Sequence, residues 1–317
     1  MASTDYNSIF SSGINRHAGL EYNEVKKPGA QIFTQENVDG RVLRVQNWET
    51  HALPSRRNPG DTFDAGSFKE SYGRTVVIVN YGMFDSIAKE DIDDDMYNII
   101  HRVLPLQGGA LGRSFALNEE YVRMGLLMNY GYTSSTGLPQ QFDGKSLFNT
   151  AHPVSKSRSS TTVSNRPSSD VDLSIAAVDA ARVNLVTQYA ANYTARVEDK
   201  PKYLCINPTQ NRVATQICKG DWERATADRN MNVVKDYGIQ IIELPYWTKS
   251  GTVGAATNAY NSWFILGENH QLRQANRQGF KVDSDTDIHT NSVIWVASQR
   301  FEVYWSDFRS TYGSLGV

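Results

Sequence analysis

The feature that most constrains the fold is a pair of strand patterns separated by a turn-rich segment. Residues 41–48 (RVLRVQNW) have a strand-like pattern, and residues 67–84 contain the β-branched run TVVIV. The prolines, glycine and arginines between the two patterns indicate a turn. Strands of about 12–15 residues, at about 3.3 Å per residue, would project roughly 40–50 Å. An isolated hairpin is at best marginally stable in water, so the sequence predicts a long hairpin that lies on a neighbour.

The composition allows a large folded chain and argues against several classes of protein. The 317 residues can form one elaborate domain or two modest ones. The net charge of -2 gives no bulk attraction to nucleic acid or to an acidic membrane. No apolar run approaches the roughly 20 residues of a membrane helix, and the N-terminus lacks the pattern of a secretory signal. We therefore expect synthesis and use in a cytoplasm, without a membrane partner.

Helical patterns follow the hairpin. Residues 91–103 begin with acidic side chains, which suit the positive end of a helix dipole, before a proline and a pair of glycines interrupt the pattern. Apolar residues at helical spacing then predict one helix over residues 110–128 and another over residues 173–191. Asp172 or Ser174 is the expected N-cap of this last helix.

The other segments differ in character. Residues 1–40 are polar with little periodicity, which is typical of an arm that gains structure only by lying on another surface. Residues 131–172 are rich in serine, threonine, glycine and proline, and an irregular loop of that length indicates a functional role. Residues 292–305 predict a long strand or a strand pair. Short apolar strands separated by helical stretches predict a small α/β unit, at residues 203–206, 239–244 and 263–266.

Two blocks of sequence are more specific than these patterns. Residues 143–154 read DGKSLFNTAHPV, and residues 300–314 read RFEVYWSDFRSTYGS. The first block resembles the G-x-x-L-F-x-T-A-H-P segment of tailed-bacteriophage major capsid (head) proteins, particularly the Mu-type head subunits. The second resembles the C-terminal signature of the same family, an aromatic strand followed by W-S-D-[FW]-R-x-x-Y-G. Two such matches, far apart and in the order that the family requires, are more specific than either alone.

The resemblance implies an α+β chain with the Hong Kong 97-type capsid fold. That fold has an N-terminal arm, an extended β-hairpin loop, a spine helix, a peripheral domain and an axial α/β domain. The spine helix would occupy residues 110–130. The implied boundaries are residues 1–40 for the arm, 41–84 for the extended loop, 85–199 for the peripheral domain with the spine helix, 200–268 for the axial domain, and 269–317 for the C-terminal return to the peripheral domain.

The resemblance also implies a function. The chain would be a major capsid protein that assembles with itself into rings and an icosahedral shell around double-stranded DNA. It would be made in the host cytoplasm and reside in the virion. A portal protein is an implied partner, scaffolding or decoration proteins are further candidates, and the DNA contact would be non-specific. An encapsulin-type cellular compartment, which encloses cargo enzymes instead of DNA, is the alternative.

Candidate catalytic and metal sites are weak. His152 would need a nucleophile such as Cys205 or a serine to act as a catalytic base, and no nucleophile, zinc or phosphate-binding motif occurs. We favour a structural histidine over a hydrolase using His152. The aspartates within residues 91–95 favour a solvated helix start over a cation site. Those within residues 283–287 resemble a calcium loop, but isoleucines stand where glycine and glutamate are required, which favours a polar surface turn. No enzyme activity, cofactor or metal is therefore predicted.

The predicted contacts between subunits are mostly basic. The segment 145–166 contains lysines and arginines and no acid, so it would meet DNA phosphates or, as we favour, acidic surface on a neighbour. Arginines at the hairpin turn have the same two alternatives, because a guanidinium pairs with phosphate or carboxylate. The resemblance draws attention to Lys69, since the founding member of the family links a loop lysine to a neighbour's asparagine; we treat it as an ordinary loop residue. The candidates are Arg56, Arg57, Lys69, Lys145, His152 and Arg158.

Overall fold

In the computed structural model, the described residues form two four-stranded sheets and two two-stranded ribbons, with helices packed on the sheets. No helix among them is both long enough and apolar enough to cross a membrane. The described residues are 3–49, 51, 54, 56–63, 66, 69–95, 99–129, 131–132, 142–191, 195–222, 230–246, 260–287 and 289–316.

The helices are α1 (Ser3–Glu24), α2 (Lys89–Asp93), α3 (Ile99–Met124), α4 (Ile175–Thr187) and α5 (Asn211–Lys219). The strands are β1 (Thr34–Asn37), β2 (Val42–Trp48), β3 (Glu70–Val77), β4 (Val79–Ala88), β5 (His152–Pro153), β6 (Thr162–Val163), β7 (Pro201–Ile206), β8 (Gln240–Glu243), β9 (Trp263–Gly267), β10 (Leu272–Asp287), β11 (Ser292–Trp305) and β12 (Thr311–Ser314). Single 3-10 turns occupy Pro28–Gln31, Pro208–Gln210 and Val234–Tyr237, and a π turn at Gly125–Asn129 follows α3.

The larger sheet has the strand order β1-β10-β11-β4. Its centre is the antiparallel pair of β10 and β11, which is in register from Leu272 and Trp305 to Asp287 and Ser292. β1 is parallel to β10 at one edge, and β4 is antiparallel to β11 at the other. Helices α1 and α3 cover one face of this sheet. The buried apolar side chains between them are Ile14, Ala18, Phe115, Val282, Val293, Trp295 and Ala297.

Helix α1 differs from the expectation for residues 1–40. The sequence predicted no periodic element there, yet the chain is helical over Ser3–Glu24, with Ile14 and Ala18 buried. The reason lies in α3, where a Cβ atom on Gly112 would stand 2.0 Å from the Ala18 carbonyl oxygen. The two helix backbones therefore approach closely, and this contact stabilises a helix that its own polar sequence does not predict.

The predicted interruption before the spine helix is wrong. Helix α3 runs without a break through Pro105 and Gly108, so the spine helix begins well before the predicted residues 110–130. The helix predicted over residues 91–103 is instead the short α2 and the start of α3. A glycine inside a helix costs about 1 kcal/mol relative to alanine. Here the packing of α1 against the glycine-containing face of α3 offsets that cost, because only glycine leaves room for the neighbouring backbone.

The hairpin is present but shorter than predicted. β2 and β3 are antiparallel from Val42 and Val77 to Trp48 and Glu70, and they contain 7 and 8 residues. After Ile78 the chain continues as β4, which belongs to the larger sheet. The predicted single strand is therefore split between two sheets. Burial of Ile78 near the base of the hairpin anchors it on that larger sheet.

The smaller sheet has the order β12-β9-β7-β8, with α4 and α5 packed on it. Its strands β7, β8 and β9 confirm the three short apolar strands predicted from the sequence. Helix α4 is also confirmed, although it is shorter than predicted. Ser174 is its N-cap, because its hydroxyl accepts a hydrogen bond from the Ala177 amide at 3.2 Å.

Strand β10 is the main element that the sequence did not predict. Its sequence LRQANRQGFKVDSDTD is rich in polar residues and poor in β-branched ones. The predicted polar turn at residues 283–287 is wrong, because Asp283 and Asp285 lie on this strand opposite Val296 and Ile294. The more apolar β11 supplies the hydrogen-bonding partner, so pairing overrides the weak local preference.

A buried ionic network joins α3 to β10. Arg123 is fully buried and donates to Glu120, to Glu119 at 2.7 Å and to the Gln274 side chain at 2.8 Å. Glu120, also fully buried, accepts a further hydrogen bond from the Gly29 amide at 2.9 Å. The network therefore fixes the end of α3 both to the larger sheet and to the segment after α1.

Candidate functional site

The two specific sequence blocks, residues 143–154 and 300–314, meet in the folded chain. His152 lies at their junction and is fully buried. Its Nδ1 atom is 2.6 Å from the Asp143 carboxylate, and its Nε2 atom donates to the Leu147 carbonyl at 3.1 Å. Both ring nitrogens are thus engaged within the first block, which closes that block into a compact loop around the histidine.

The ring of His152 also contacts the second block. It stacks on Phe308, with ring centroids 3.9 Å apart and planes 4° from parallel, and it meets the edge of Trp305 at 6.4 Å. Trp305 and Phe308 are themselves buried. His152 therefore holds its own chain together. In the folded subunit its side chain is fully buried, and the contacts described for its ring lie within one chain.

Asn165 links the blocks through hydrogen bonds. Its side-chain amide donates to the Leu147 carbonyl at 2.7 Å and to the Thr311 hydroxyl at 3.0 Å. Its side-chain oxygen accepts from the Asn149 amide at 2.9 Å. Because Asn165 is fully buried, these partners replace the water that its amide would otherwise bind.

Arg309 gives the junction a further clamp. Its guanidinium contacts both oxygens of Asp307 at 3.0 Å, and it donates to the carbonyls of Tyr189 at 2.8 Å and Val154 at 2.5 Å. One arginine of the second block thereby binds the end of the first block and the segment after α4. A lysine cannot reproduce this fork of donors.

Gly313 is required by close packing rather than by its backbone angles. A Cβ atom at this position would lie 2.6 Å from the Tyr132 hydroxyl and 2.8 Å from a ring carbon of Phe148. The glycine in the Y-G pair of the second block therefore lets β12 approach the aromatic residues at the start of the loop.

The turn-side end of the β2–β3 ladder is tied to the same junction. The Glu49 carboxylate accepts hydrogen bonds from the Ser157 amide at 3.0 Å and the Ser157 hydroxyl at 2.7 Å. Burial alone raises the pKa of Glu49, but the bonds from Ser157 lower it overall. The Asn47 amide donates to the Ser306 carbonyl at 2.5 Å. A cavity of about 390 Å³ lies between the turn-side part of the hairpin strands and the second block.

The basic candidates for contacts between subunits lie on exposed surface. Those on the hairpin are Arg56, Arg57 and Lys69, and those on the loop of the first block are Lys145 and Arg158. The Arg57 guanidinium lies 4.0 Å from the centre of the Phe63 ring. Arg166 differs from the others because its guanidinium pairs with Asp170 at 3.0 and 2.5 Å.

Catalytic chemistry finds little support in this geometry. The contacts described for His152 are a carboxylate, a carbonyl and aromatic rings, with no hydroxyl or thiol among them. Burial raises the pKa of the Cys205 thiol well above its usual value, and it raises the pKa of Cys218 to about 11. In the part of the chain that the structure describes, no group of three or more histidine, cysteine or acidic side chains is arranged to hold a metal ion.

Comparison with known protein families identifies the chain. The family model described as Phage capsid protein matches residues 72–313, from the hairpin to the last strand. The chain belongs to this family. Its members are structural proteins of the virion capsid, so the chain is a major capsid protein of the bacteriophage head, a component of an icosahedral shell. No curated protein sequence matches it.

Solved capsid structures share the fold at low sequence identity. The mature capsid of bacteriophage PhiM1 has 14% identity and a TM-score of 0.54, over 88% of this chain and 84% of that chain. The capsid of the empty GTA particle has 14% identity and a TM-score of 0.54, over 92% of each chain. The capsid of cyanophage P-SCSP1u has 14% identity and a TM-score of 0.50, over 89% and 85%. The fold is therefore the Hong Kong 97-type capsid fold, as the sequence resemblance predicted.

Several residues that organise this capsid protein were not singled out by the sequence. Asn165, Glu49 and Arg123 each lie in segments without a motif, and their roles depend on partners distant in the chain. The spacing of His152 from Asp143 was visible inside the first block, but the stacking on Phe308 was not. A polar residue flanked by apolar ones in the sequence indicates that its side chain is buried, but it does not identify the hydrogen-bond partner of that side chain.

Proposed function

We propose that copies of this capsid protein assemble into rings and then into a closed icosahedral shell that encloses double-stranded DNA. The family match from the hairpin to the last strand is the observation that supports this most. Synthesis takes place in the host cytoplasm, and a portal protein, with scaffolding or decoration proteins, completes the particle. The mechanism is surface complementarity repeated by symmetry, because many modest contacts engaged together give avidity.

Each part of the chain has a place in this assembly. The arm and the extended loop lie on neighbouring subunits, the axial domain packs around local rotation axes, and the peripheral domain meets subunits of adjacent rings. The proposed boundaries remain residues 1–40 for the arm, 41–84 for the extended loop, 85–199 for the peripheral domain, 200–268 for the axial domain and 269–317 for the C-terminal return.

The exposed basic residues supply contacts between subunits in this proposal. Arg56 and Arg57 pair with carboxylates of a neighbour, since an exposed guanidinium forms two parallel hydrogen bonds with a carboxylate. Lys145 and Arg158 also pair with carboxylates of a neighbour, from the loop that contains the first block, and Lys145 does so as a point charge. Lys69 is an ordinary loop residue at the turn-side end of the hairpin ladder, where its backbone carbonyl accepts a hydrogen bond from the Glu49 amide at 2.9 Å.

The test of assembly begins with the purified chain examined by negative-stain electron microscopy. We expect closed particles of uniform diameter, and particles from infected or co-expressing cells should contain DNA that resists added nuclease. Removal of residues 50–66 should leave a folded, soluble subunit that forms no closed shell. Normal particles from this deletion would contradict the proposed role of the hairpin. Shells that carry protein cargo and no protected DNA would contradict DNA enclosure.

Charge reversal separates a subunit contact from a DNA contact. Replacement of Arg158 by glutamate should lower the yield of empty shells if the arginine pairs with a neighbouring carboxylate. If it contacts DNA instead, empty shells form normally, and only DNA retention weakens as salt rises. Arg158→Gln, which removes the charge without reversing it, is the matched variant and should have a smaller effect on shell yield.

A further inference from the structure

A pocket with both apolar and polar lining residues lies near the N-terminal end of α5. Its volume is about 540 Å³, which has room for a large side chain. Three separate segments meet around it: the chain after α1, the turn before α5 and the end of β8. The apolar residues that line it are Val25, Pro28, Pro208, Pro245 and Tyr246.

An apolar projection lies at the opposite end of α5. Trp222, Met231 and Val233 are 60%, 62% and 49% exposed, so each leaves a large apolar surface in solvent. The backbone beneath them is well held. Trp222 and Met231 form an antiparallel bridge, and the buried Asn232 amide donates to the Ile217 and Gly220 carbonyls at 2.6 and 2.9 Å.

The position of the two features on α5 decides how they can meet. The helix has 9 residues, so the projection and the pocket stand about 13 Å apart along it. Because this rigid helix separates them, the projection of one copy is kept from its own pocket. A second copy can place its projection there. Such a contact joins two different surfaces, and repetition of a contact of that kind by rotation closes a ring.

The charges around both features are complementary. Asp221, whose side chain is 75% exposed, adjoins Trp222 and pairs with Lys235 at 3.0 Å. The rim of the pocket has the exposed residues Lys26 and Glu243. Asp221 therefore has a counterpart of opposite sign in Lys26 on the rim, which favours one orientation of docking.

We propose that Trp222 of one copy inserts into the pocket of Pro208, Pro245 and Tyr246 on the next copy, with Asp221 facing Lys26. This inference rests on the proposed assembly into rings and names the contact that builds them. Tryptophan and methionine are enriched at protein interfaces, and tryptophan buries a large area at low entropic cost because it has only two side-chain torsions. The contact is head-to-tail, so it extends from copy to copy around the ring.

Site-specific cross-linking tests the contact directly. One chain carries Trp222→Cys, another carries Pro245→Cys, and the mixture is treated with a short bismaleimide, which bonds to one thiol at each end. We expect covalent dimers from the mixture, and a ladder of higher multimers when one chain carries both substitutions. The matched control replaces Pro245→Cys by Val183→Cys, an exposed residue on α4, and should give no dimers. The unmodified chain, whose two cysteines are buried, should also remain uncross-linked.

A charge exchange provides the second measurement. Asp221→Lys and Lys26→Asp should each weaken subunit association about tenfold or more, and the chain with both changes should recover most of the loss. Lys235→Ala breaks only the pair within one copy and should have little effect. Absence of dimers from the Trp222→Cys and Pro245→Cys mixture, under conditions where that same mixture still forms shells, would overturn this contact and leave the proposed function intact. Dimers from Trp222→Cys alone would overturn it in favour of a symmetric contact. Failure of the unmodified chain to form any assembly would instead count against the proposed function itself.

Discussion

Replacement of Arg123 by methionine tests the buried ionic network of α3. Methionine has a similar length and keeps the helical preference of the position, but it removes every hydrogen bond that the guanidinium donates. Glu119 retains other partners, namely the Lys27 ammonium at 3.1 Å, the Tyr22 hydroxyl at 2.8 Å and the Gln274 side-chain amide at 2.7 Å. Glu120 is fully buried and retains, among its described contacts, the backbone amide of Gly29. The substitution therefore leaves a buried carboxylate without its counter-charge.

The size of the effect follows from that uncompensated charge. Removal of one partner from a buried ion pair costs about 3–5 kcal/mol, so we expect Arg123→Met to lower the free energy of unfolding by about that amount. Adding Glu120→Gln should recover about 2 kcal/mol, because a neutral amide is less costly to bury than an unpaired carboxylate. Arg113 is the matched control on the same helix. Its side chain is 64% exposed and pairs with Glu21 at 3.3 Å, so Arg113→Met should cost less than about 1 kcal/mol.

The measurement is urea unfolding of the unassembled subunit, followed by tryptophan fluorescence. Hydrogen exchange of the α3 amides provides a second readout that localises the loss. We expect faster exchange near Arg123 in the single variant and partial recovery in the double variant. Equal losses for Arg123→Met and Arg113→Met would refute the argument, because they would show that burial of the charge does not determine its contribution.

Three further predictions follow from the packing and the charges. Gly112→Ala should destabilise the contact between α1 and α3, because the new Cβ atom would lie 2.0 Å from the Ala18 carbonyl oxygen. Gly125→Ala is the control, since its Cβ atom meets nothing within 4 Å. Hydrogen exchange of the α1 amides compares the two variants, and equal protection in both would contradict the packing argument. Burial raises the pKa of Glu119, but Arg123 and its other partners lower it overall, so its stabilising contribution is present above about pH 4.5 and is lost as pH falls through the lowered value. Glu119→Gln should therefore be less stable than the unmodified chain at neutral pH, and it should lose less stability on acidification. Urea unfolding at each pH measures this difference, and a pH profile equal to that of the unmodified chain would contradict it. His152→Ala should cost about 2–5 kcal/mol by the same assay, since it removes a buried ring and the contact of that ring with the Asp143 carboxylate. A loss below about 1 kcal/mol would contradict the structural role.

The sequence predicted those elements whose local pattern agrees with their final environment. Helix α4 has an apolar stripe and a serine cap, and β11 has alternating apolar residues, so both were visible without a structure. Strand β10 was missed because its polar sequence has little strand preference and depends on pairing with β11. Helix α1 was missed because it is stabilised by the close approach of α3 at Gly112 rather than by its own pattern.

The candidate site likewise has features that were recognisable from the sequence and contacts that only the folded chain shows. The two blocks, and His152 within the first of them, were recognised from the sequence, because each motif is a contiguous stretch of the chain. The stacking of His152 on Phe308 and the bonds of Asn165 to Thr311 join positions that are far apart in sequence. A single sequence does not contain these pairings, since a buried polar group can satisfy its hydrogen bonds with any suitably placed partner.

The sequence alone therefore determined the family resemblance, the capsid fold that it implies, and the local elements whose apolar period is clear. Tertiary structure decided that the hairpin ends at residue 77 and that α3 continues through Gly108, because packing partners offset unfavourable local preferences. It also decided that His152 faces the interior. Burial and hydrogen-bond pairing depend on which distant segments come together, and that is a property of the folded chain rather than of any one stretch of sequence.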